Sequence, residues 1–174
     1  MTMADNASAR RDIVVRGVAD DEIGTLLALI RDLSDSHPAS TVVESDEATL
    51  RTALFGDERA AHCEMLVYGD KPVGFMFWSY TFCPFKGRRG ILVGDFFVQP
   101  GFRNKGVGHA ALAHLARRCV AEGLSSVDWM ALNWDEAALS FYQTLGAEIL
   151  DEWLRCRLGP MQFWRLSHDD GPRM

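Results

Sequence analysis

The stretch Ile91–Ala111, ILVGDFFVQPGFRNKGVGHAA, decides the fold that the sequence predicts. Its first part, Ile91–Val98, is rich in β-branched and aromatic residues and predicts a buried strand. Pro100 and Gly101 end this strand, because proline cannot donate to a ladder and glycine frees the backbone. A helical apolar pattern, Val107–Glu122, follows at once. The stretch therefore predicts a strand, a glycine-rich loop and a helix.

The loop between this strand and this helix has the features of an anion site. Gly106 and Gly108 leave backbone N–H groups uncovered at the helix start, where the helix dipole is positive. Arg103 and Lys105 add positive charge in a chain whose formal net charge is −6. We interpret the loop as the site of a phosphate-bearing cofactor.

Two other interpretations of the glycines are open. Gly106-x-Gly108-x-x-Ala111 also fits the dinucleotide-binding pattern, and Asp128 stands near its acidic position. In that fold the strand runs directly into the first glycine, whereas here Pro100 and further residues intervene, and two antiparallel strands precede the site. The other interpretation, a turn without a ligand, leaves the convergence of glycines and cations unexplained.

Composition limits the function classes. A chain of 174 residues suits one domain, and 48% hydrophobic with 24% charged residues is typical of a soluble globule. The acidic balance argues against a nucleic-acid-binding protein, and no apolar run is long enough to span a membrane. The scattered cysteines favour free thiols in the cytoplasm and predict neither a metal site nor disulfides; they are Cys63, Cys83, Cys119 and Cys156.

Periodicity and turn residues along the rest of the chain predict an α/β domain over residues 12–159, with tails at 1–11 and 160–174. The predicted order is β-α-α-β-β-β-α-β-α-β, with one or two strands at the end. The predicted strands are 13–16, 63–68, 73–81, 91–98, 127–132 and 149–158. The predicted helices are capped by Asp20 or Asp21, by Ser45 and by Asp135, and Gly123 and Gly146 end the last two.

Two motifs resemble those of the GNAT family of N-acetyltransferases. Arg103-x-x-Gly106-x-Gly108 is similar to the acetyl-CoA signature of that family, and it lies between a strand and a helix as the family requires. The second motif is Asp135-x-x-Ala138-x-x-Phe141-Tyr142-x-x-x-Gly146-Ala147. Within the family the chain most resembles the diamine acetyltransferases, through Asp95–Val98, Leu29–Leu33, Phe55–Glu58 and Trp153, over residues 13–158.

The resemblance implies a mixed, largely antiparallel sheet flanked by helices, acetyl-CoA as co-substrate, no metal and a homodimer. The pantetheine arm would pair with the backbone of the central strand, and the pyrophosphate would bind the loop amides. The residues that it assigns to acetyl-CoA are Phe96, Phe97, Val98, Arg103, Asn104, Lys105, Gly106, Val107, Gly108, His109, Asp135 and Ala138.

The resemblance also implies direct attack of an amine on the thioester, with no covalent enzyme intermediate. A primary ammonium with a pKa of about 10.4 must first lose a proton, which costs about 4–5 kcal/mol at pH 7. Tyr142 matches the tyrosine of the family that protonates the leaving sulfur.

The acceptor residues depart from the diamine group. Gly94 stands where that group has a glutamate, and Ser36-His37 replaces its Tyr-Glu pair. Asp95 would face away from position 94 unless a bulge intervenes, because neighbouring strand residues point to opposite faces. These departures argue against polyamines. The candidate acceptor residues are His37, Glu44, Gly94, Asp95, Asp128, Trp129 and Met130.

The sequence thus predicts an acetyl-CoA-dependent N-acetyltransferase that acts on a primary amine of a small molecule, either diamine-like or amino-acid-like. Two alternatives remain at this point. One is a protein N-terminal or lysine acetyltransferase, and the other is an acyl-CoA-binding sensor without catalysis, which the absence of a glutamate at Gly94 favours.

Overall fold

Two units make up the chain, Met1–Met130 and Ala131–Met174, and each is described by itself. The computed structural model describes residues 13–36 and 42–168. In the first unit the elements are β1 (Ile13–Gly17), α1 (Ile23–Ser36), α2 (Glu47–Phe55), β2 (His62–Tyr68), β3 (Lys71–Cys83), β4 (Arg88–Val98), α3 (Val107–Glu122) and β5 (Val127–Trp129). In the second unit they are α4 (Glu136–Thr144) and α5 (Pro160–His168).

The strands form one sheet in the order β1-β2-β3-β4-β5, in which only the β4–β5 pair is parallel. Alternate residues of each strand point to opposite faces, so the sheet has two apolar cores. On one face Leu26 of α1 and Leu54 of α2 share a buried cluster with Phe97 of β4. On the other face Leu115 of α3 packs in a cluster with Val93. The predicted mixed α/β fold is confirmed.

Several predicted boundaries are confirmed. Helix α3 has its predicted bounds, and Gly123 ends it in the left-handed conformation, with φ of 64°. Gly69, with φ of 59°, turns β2 into β3 as the hairpin signature predicted. Asp135 caps α4, because its Oδ1 accepts from the Ala138 N–H at 3.0 Å.

Two predicted caps are wrong by one or two positions. Asp46, and not Ser45, caps α2 by accepting from the Thr49 N–H at 2.8 Å. The predicted caps of α1, Asp20 and Asp21, lie inside a 3₁₀ turn that precedes it (Asp20–Glu22). The Glu22 carboxylate reaches back to accept from the Ala19 N–H at 2.9 Å. Clustered acids all suit a helix start, so the sequence alone does not choose among them.

The strand ends also differ from the prediction. Strand β4 begins at Arg88, since the ladder to β3 continues through charged residues, and β5 already ends at Trp129. The predicted strand over residues 149–158 does not form. Its apolar residues stand side by side, as in Trp153 with Leu154, so they cannot line one face of a sheet.

Helix α5 occupies residues that the sequence assigned to a tail. Pro160 is its first residue, a position that suits proline because the missing N–H would have no helical partner. Among residues 13–36 and 42–168, no helix has the length and apolarity needed to cross a membrane.

Candidate active site

A bulge at Gly94 re-aims the second half of β4. Asp95 pairs with Phe77 of β3 and Val93 pairs with Trp78, so Gly94 is an extra residue without a partner in this ladder. An extra residue shifts the alternation of the pleat by one position. As a result Gly94 and Asp95 point to the same face of the sheet, the face that carries Phe97. The bulge that brings Asp95 to the same face as position 94 is therefore present.

Strands β4 and β5 separate directly after the bulge. They pair only at Ile91, Leu92 and Val93, which lie opposite Val127–Trp129. Within the described residues, the β5-facing edge of β4 has no ladder partner from Gly94 to Val98. A free strand edge can pair with an extended chain through its N–H and C=O groups. This edge includes the residues predicted to bind pantetheine.

The loop before α3 presents a run of free amides. The first helical hydrogen bond is donated by the Ala110 N–H to the Gly106 carbonyl at 2.9 Å. In the described part of the chain, the amides of residues 104–109 find no backbone acceptor. Asn104 and Gly106 have φ of 60° and 88°, and successive amides in such a turn form a concave anion nest. A nest of this kind suits an anion, and the pyrophosphate predicted for this loop stays a prediction.

Both cations of this loop have partners. The Arg103 Nε donates to the Val98 carbonyl at 3.1 Å and thereby ties the loop to the end of β4. The Lys105 Nζ lies 4.9 Å from the ring centre of Phe102 and 5.6 Å from that of Tyr68. Lys105 lies against these rings, and both Lys105 and Arg103 are exposed beside the nest. His109 is exposed on the first turn of α3.

A cleft of about 450 Å³ lies between the end of α1 and the end of β4. Its lining includes Phe97 on the face that Asp95 shares, together with Asp32 and Asp35 of α1. Neither of these α1 carboxylates was among the predicted acceptor residues. Their spacing of three residues places them on one helix face, and this was the available signal. Asp32 accepts from the Gln99 Nε2 at 2.8 Å.

The other predicted acceptor residues that the structure describes lie on β5, directly after β5 and before α2. Asp128 accepts from the Ser126 hydroxyl at 2.7 Å, Trp129 is half-buried on β5, and Met130 is exposed. Glu44 is exposed before α2. His37 lies outside the described residues.

Tyr142 belongs to the second unit, on α4. Its side chain is half-buried and its ring centre lies 5.4 Å from that of Phe141. Burial, and to a smaller extent the charge of Asp135, raises the pKa of Tyr142 above its ordinary value. The phenol therefore keeps its proton at neutral pH, as a proton donor must. Ala138 lies one turn before Tyr142, and its N–H donates to the side chain of the capping Asp135.

Comparison with known proteins decides the family. The sequence profile of the acetyltransferase (GNAT) family matches residues 26–147, which is more than half of the chain. The chain belongs to the GNAT family. Its relatives include a thialysine N-epsilon-acetyltransferase of Bos taurus, 29% identical over 148 residues that cover 80% of this chain and 86% of the relative. An L-ornithine N5-acetyltransferase of Arabidopsis thaliana is 32% identical over 85 residues, 49% of this chain and 37% of the relative.

Solved structures support the same fold. An integron cassette protein from the V. cholerae mobile metagenome superimposes with a TM-score of 0.75 at 22% identity, over 90% of this chain and 98% of that one. The predicted N-acetyltransferase activity of a GNAT enzyme is confirmed. Acetyltransferases of this family use acetyl-CoA.

Proposed function

We propose that the chain acts over residues 12–159 as one acetyltransferase domain, which transfers an acetyl group from acetyl-CoA directly to a primary amine of a small molecule. The free β4 edge beside the amide nest is the observation that carries this proposal. The backbone of Phe96, Phe97 and Val98 would hold the pantetheine arm. The amides from Asn104 to His109 would hold the pyrophosphate, with Arg103 and Lys105 screening its charge.

Acetyl-CoA, when bound, supplies an acetyl group already activated as a thioester, so the protein needs no nucleophile of its own. Cys63 is unsuited to that role, because burial raises the pKa of its thiol far above the ordinary range. Tyr142 would donate a proton to the leaving sulfur, and Asp135 and Ala138 would order the helix that carries it. The four cysteines, all free thiols, fit the cytoplasm that the composition predicts.

Asp95 is the carboxylate that we assign to the acceptor ammonium. The bulge turns it to the face of Gly94, and it is exposed there. A single carboxylate at this position would pair with one ammonium group of the acceptor. The names of the bovine and Arabidopsis relatives are those of enzymes for amino-acid side-chain amines, which supports an amino-acid-like acceptor. Asp32 and Asp35 would add negative potential at the cleft.

Tyr142→Phe tests the mechanism. Loss of a general acid lowers kcat by roughly 10²–10⁴-fold, whereas the affinity for acetyl-CoA should stay unchanged. The matched control is Tyr68→Phe, which removes a phenol hydroxyl that makes no hydrogen bond within the described residues and keeps the ring beside Lys105. Unchanged turnover in Tyr142→Phe would refute the role of Tyr142.

Acetyl-CoA binding without turnover in either protein would favour the sensor, and turnover only on peptides would favour a protein acetyltransferase. The homodimer remains a prediction for solution measurements.

A further inference from the structure

A cavity of about 270 Å³ lies in the first unit, apart from the residues assigned to acetyl-CoA and acceptor. Its walls come from the end of β1, the end of α2, the start of β2 and one face of α3 from its middle onward. Its α3 residues, His114 and Arg118, lie about 10 and 16 Å along the helix from Val107, at 1.5 Å per residue. The volume is close to the lower limit of roughly 300–1,000 Å³ for small-molecule sites.

Glu64 brings a buried negative charge to this cavity. It lies on β2, and only 4% of its surface is exposed. Its Oε1 accepts from the Trp78 indole N–H at 3.2 Å and lies 3.7 Å from the His114 Nε2. Within the described residues no hydrogen bond reaches its Oε2. A buried carboxylate is costly unless its oxygens are paired, so a donor in the cavity would stabilise it.

Two arginines bring positive charge to the same cavity. Arg118 lies with its guanidinium carbon 4.9 Å from the Trp78 ring centre, and it pairs with Glu122 at 3.1 Å. Arg59 makes no ion pair or hydrogen bond with any described residue. Burial, and then the charges of Arg59 and Arg118, lower the pKa of His62, so this imidazole is neutral at pH 7.

We propose that this cavity binds a free amino acid with an apolar side chain. The ammonium group would donate to the open oxygen of Glu64, and the carboxylate would pair with Arg59. A simple anion would lie against the Glu64 carboxylate, and a simple cation would lie against the two arginines, so only a zwitterion satisfies both charges. Leu54 and Phe55 of α2 offer an apolar wall for the side chain.

Calorimetry on the full chain tests this site with three probes of one carbon skeleton. They are L-leucine, its decarboxylated amine 3-methylbutylamine and its deaminated acid 4-methylpentanoate. L-Leucine should bind at least about tenfold more tightly than either analogue, because each analogue loses one charged hydrogen bond. No binding of L-leucine at about 10 mM, or equal binding of one analogue, would overturn the proposal.

Two variants locate the binding. Arg59→Gln changes an exposed residue that makes no ion pair with a described residue, and it should weaken L-leucine about tenfold while leaving 3-methylbutylamine unaffected. Glu64→Gln keeps the shape of the side chain and should have the opposite effect on the two analogues. It should weaken the binding of 3-methylbutylamine and leave that of 4-methylpentanoate unaffected. The control is Arg117→Gln, which removes the same charge from an exposed α3 residue outside the cavity. L-Leucine binding that survives both cavity variants, or that falls equally in the control, would place the ligand elsewhere and refute the site.

Discussion

Replacing Gly94 by glutamate adds a second carboxylate beside Asp95. The bulge turns both positions to one face, and a Cβ built at Gly94 meets nothing within 4 Å. The backbone there has no positive φ, so a side chain causes no strain. We expect the free energy of unfolding to change by less than about 1 kcal/mol.

The effect on acceptors should be much larger and selective. A charged hydrogen bond contributes about 1.5–3 kcal/mol, which is about 10- to 150-fold in kcat/KM. Only an acceptor with a second ammonium gains this contact. Steady-state kcat/KM for putrescine, divided by that for a monoamine of equal length, should therefore rise by that factor in Gly94→Glu.

The control for added charge is Ala116→Glu, at an exposed position on α3 that lines neither the cleft nor the cavity. This variant should leave the ratio of the two acceptors unchanged. If folded Gly94→Glu shows the same ratio as Ala116→Glu, then position 94 does not face the acceptor, and the assignment of Asp95 built on the bulge is refuted.

Three further predictions concern the cofactor site, the sheet and pH. Gly106→Ala forces alanine to φ of 88°, so it should lower the free energy of unfolding by about 1–2 kcal/mol and weaken acetyl-CoA binding in calorimetry. The control is Gly101→Ala, which has open space and no positive φ and should change neither quantity. Gly74→Ala places a Cβ in a steric clash with the Phe97 carbonyl oxygen and should cost about 1–3 kcal/mol in denaturant unfolding. Gly94→Ala, in open space, should cost none. The folded-state pKa of Tyr142 is raised, so its proton is lost only above the ordinary value of 10.0. In the wild type kcat should therefore decline above that pH. An identical decline in Tyr142→Phe would exclude Tyr142 as the source of the decline.

The sequence was most informative where one residue type has one physical use. Gly123 could end α3 because only glycine readily adopts its left-handed conformation, and Asp135 could cap α4 because a short carboxylate reaches the N–H three residues on. The loop that we propose for acetyl-CoA follows the same logic. Its glycines, cations and helix start all indicate one kind of ligand.

What the sequence did not determine depends on pairing between distant segments. The bulge at Gly94 follows from the register of β4 on β3, which a lone glycine in a strand suggests but does not fix. The cleft carboxylates, Asp32 and Asp35, become significant only when α1 lies beside the end of β4. The strand expected over 149–158 rested on apolar content alone, without the alternation that a half-buried strand requires.

Release of CoA thiol from acetyl-CoA, followed with and without an amine, tests acetyl transfer by this protein in one assay. The panel would contain ornithine, thialysine, putrescine, spermidine, an aminoglycoside and an N-terminal peptide. We predict amine-dependent release that is fastest with an amino-acid side-chain amine and that falls by about 10²-fold or more in Tyr142→Phe. Acetyl-CoA binding with no release above the amine-free rate, for any amine of the panel, would contradict the proposed function.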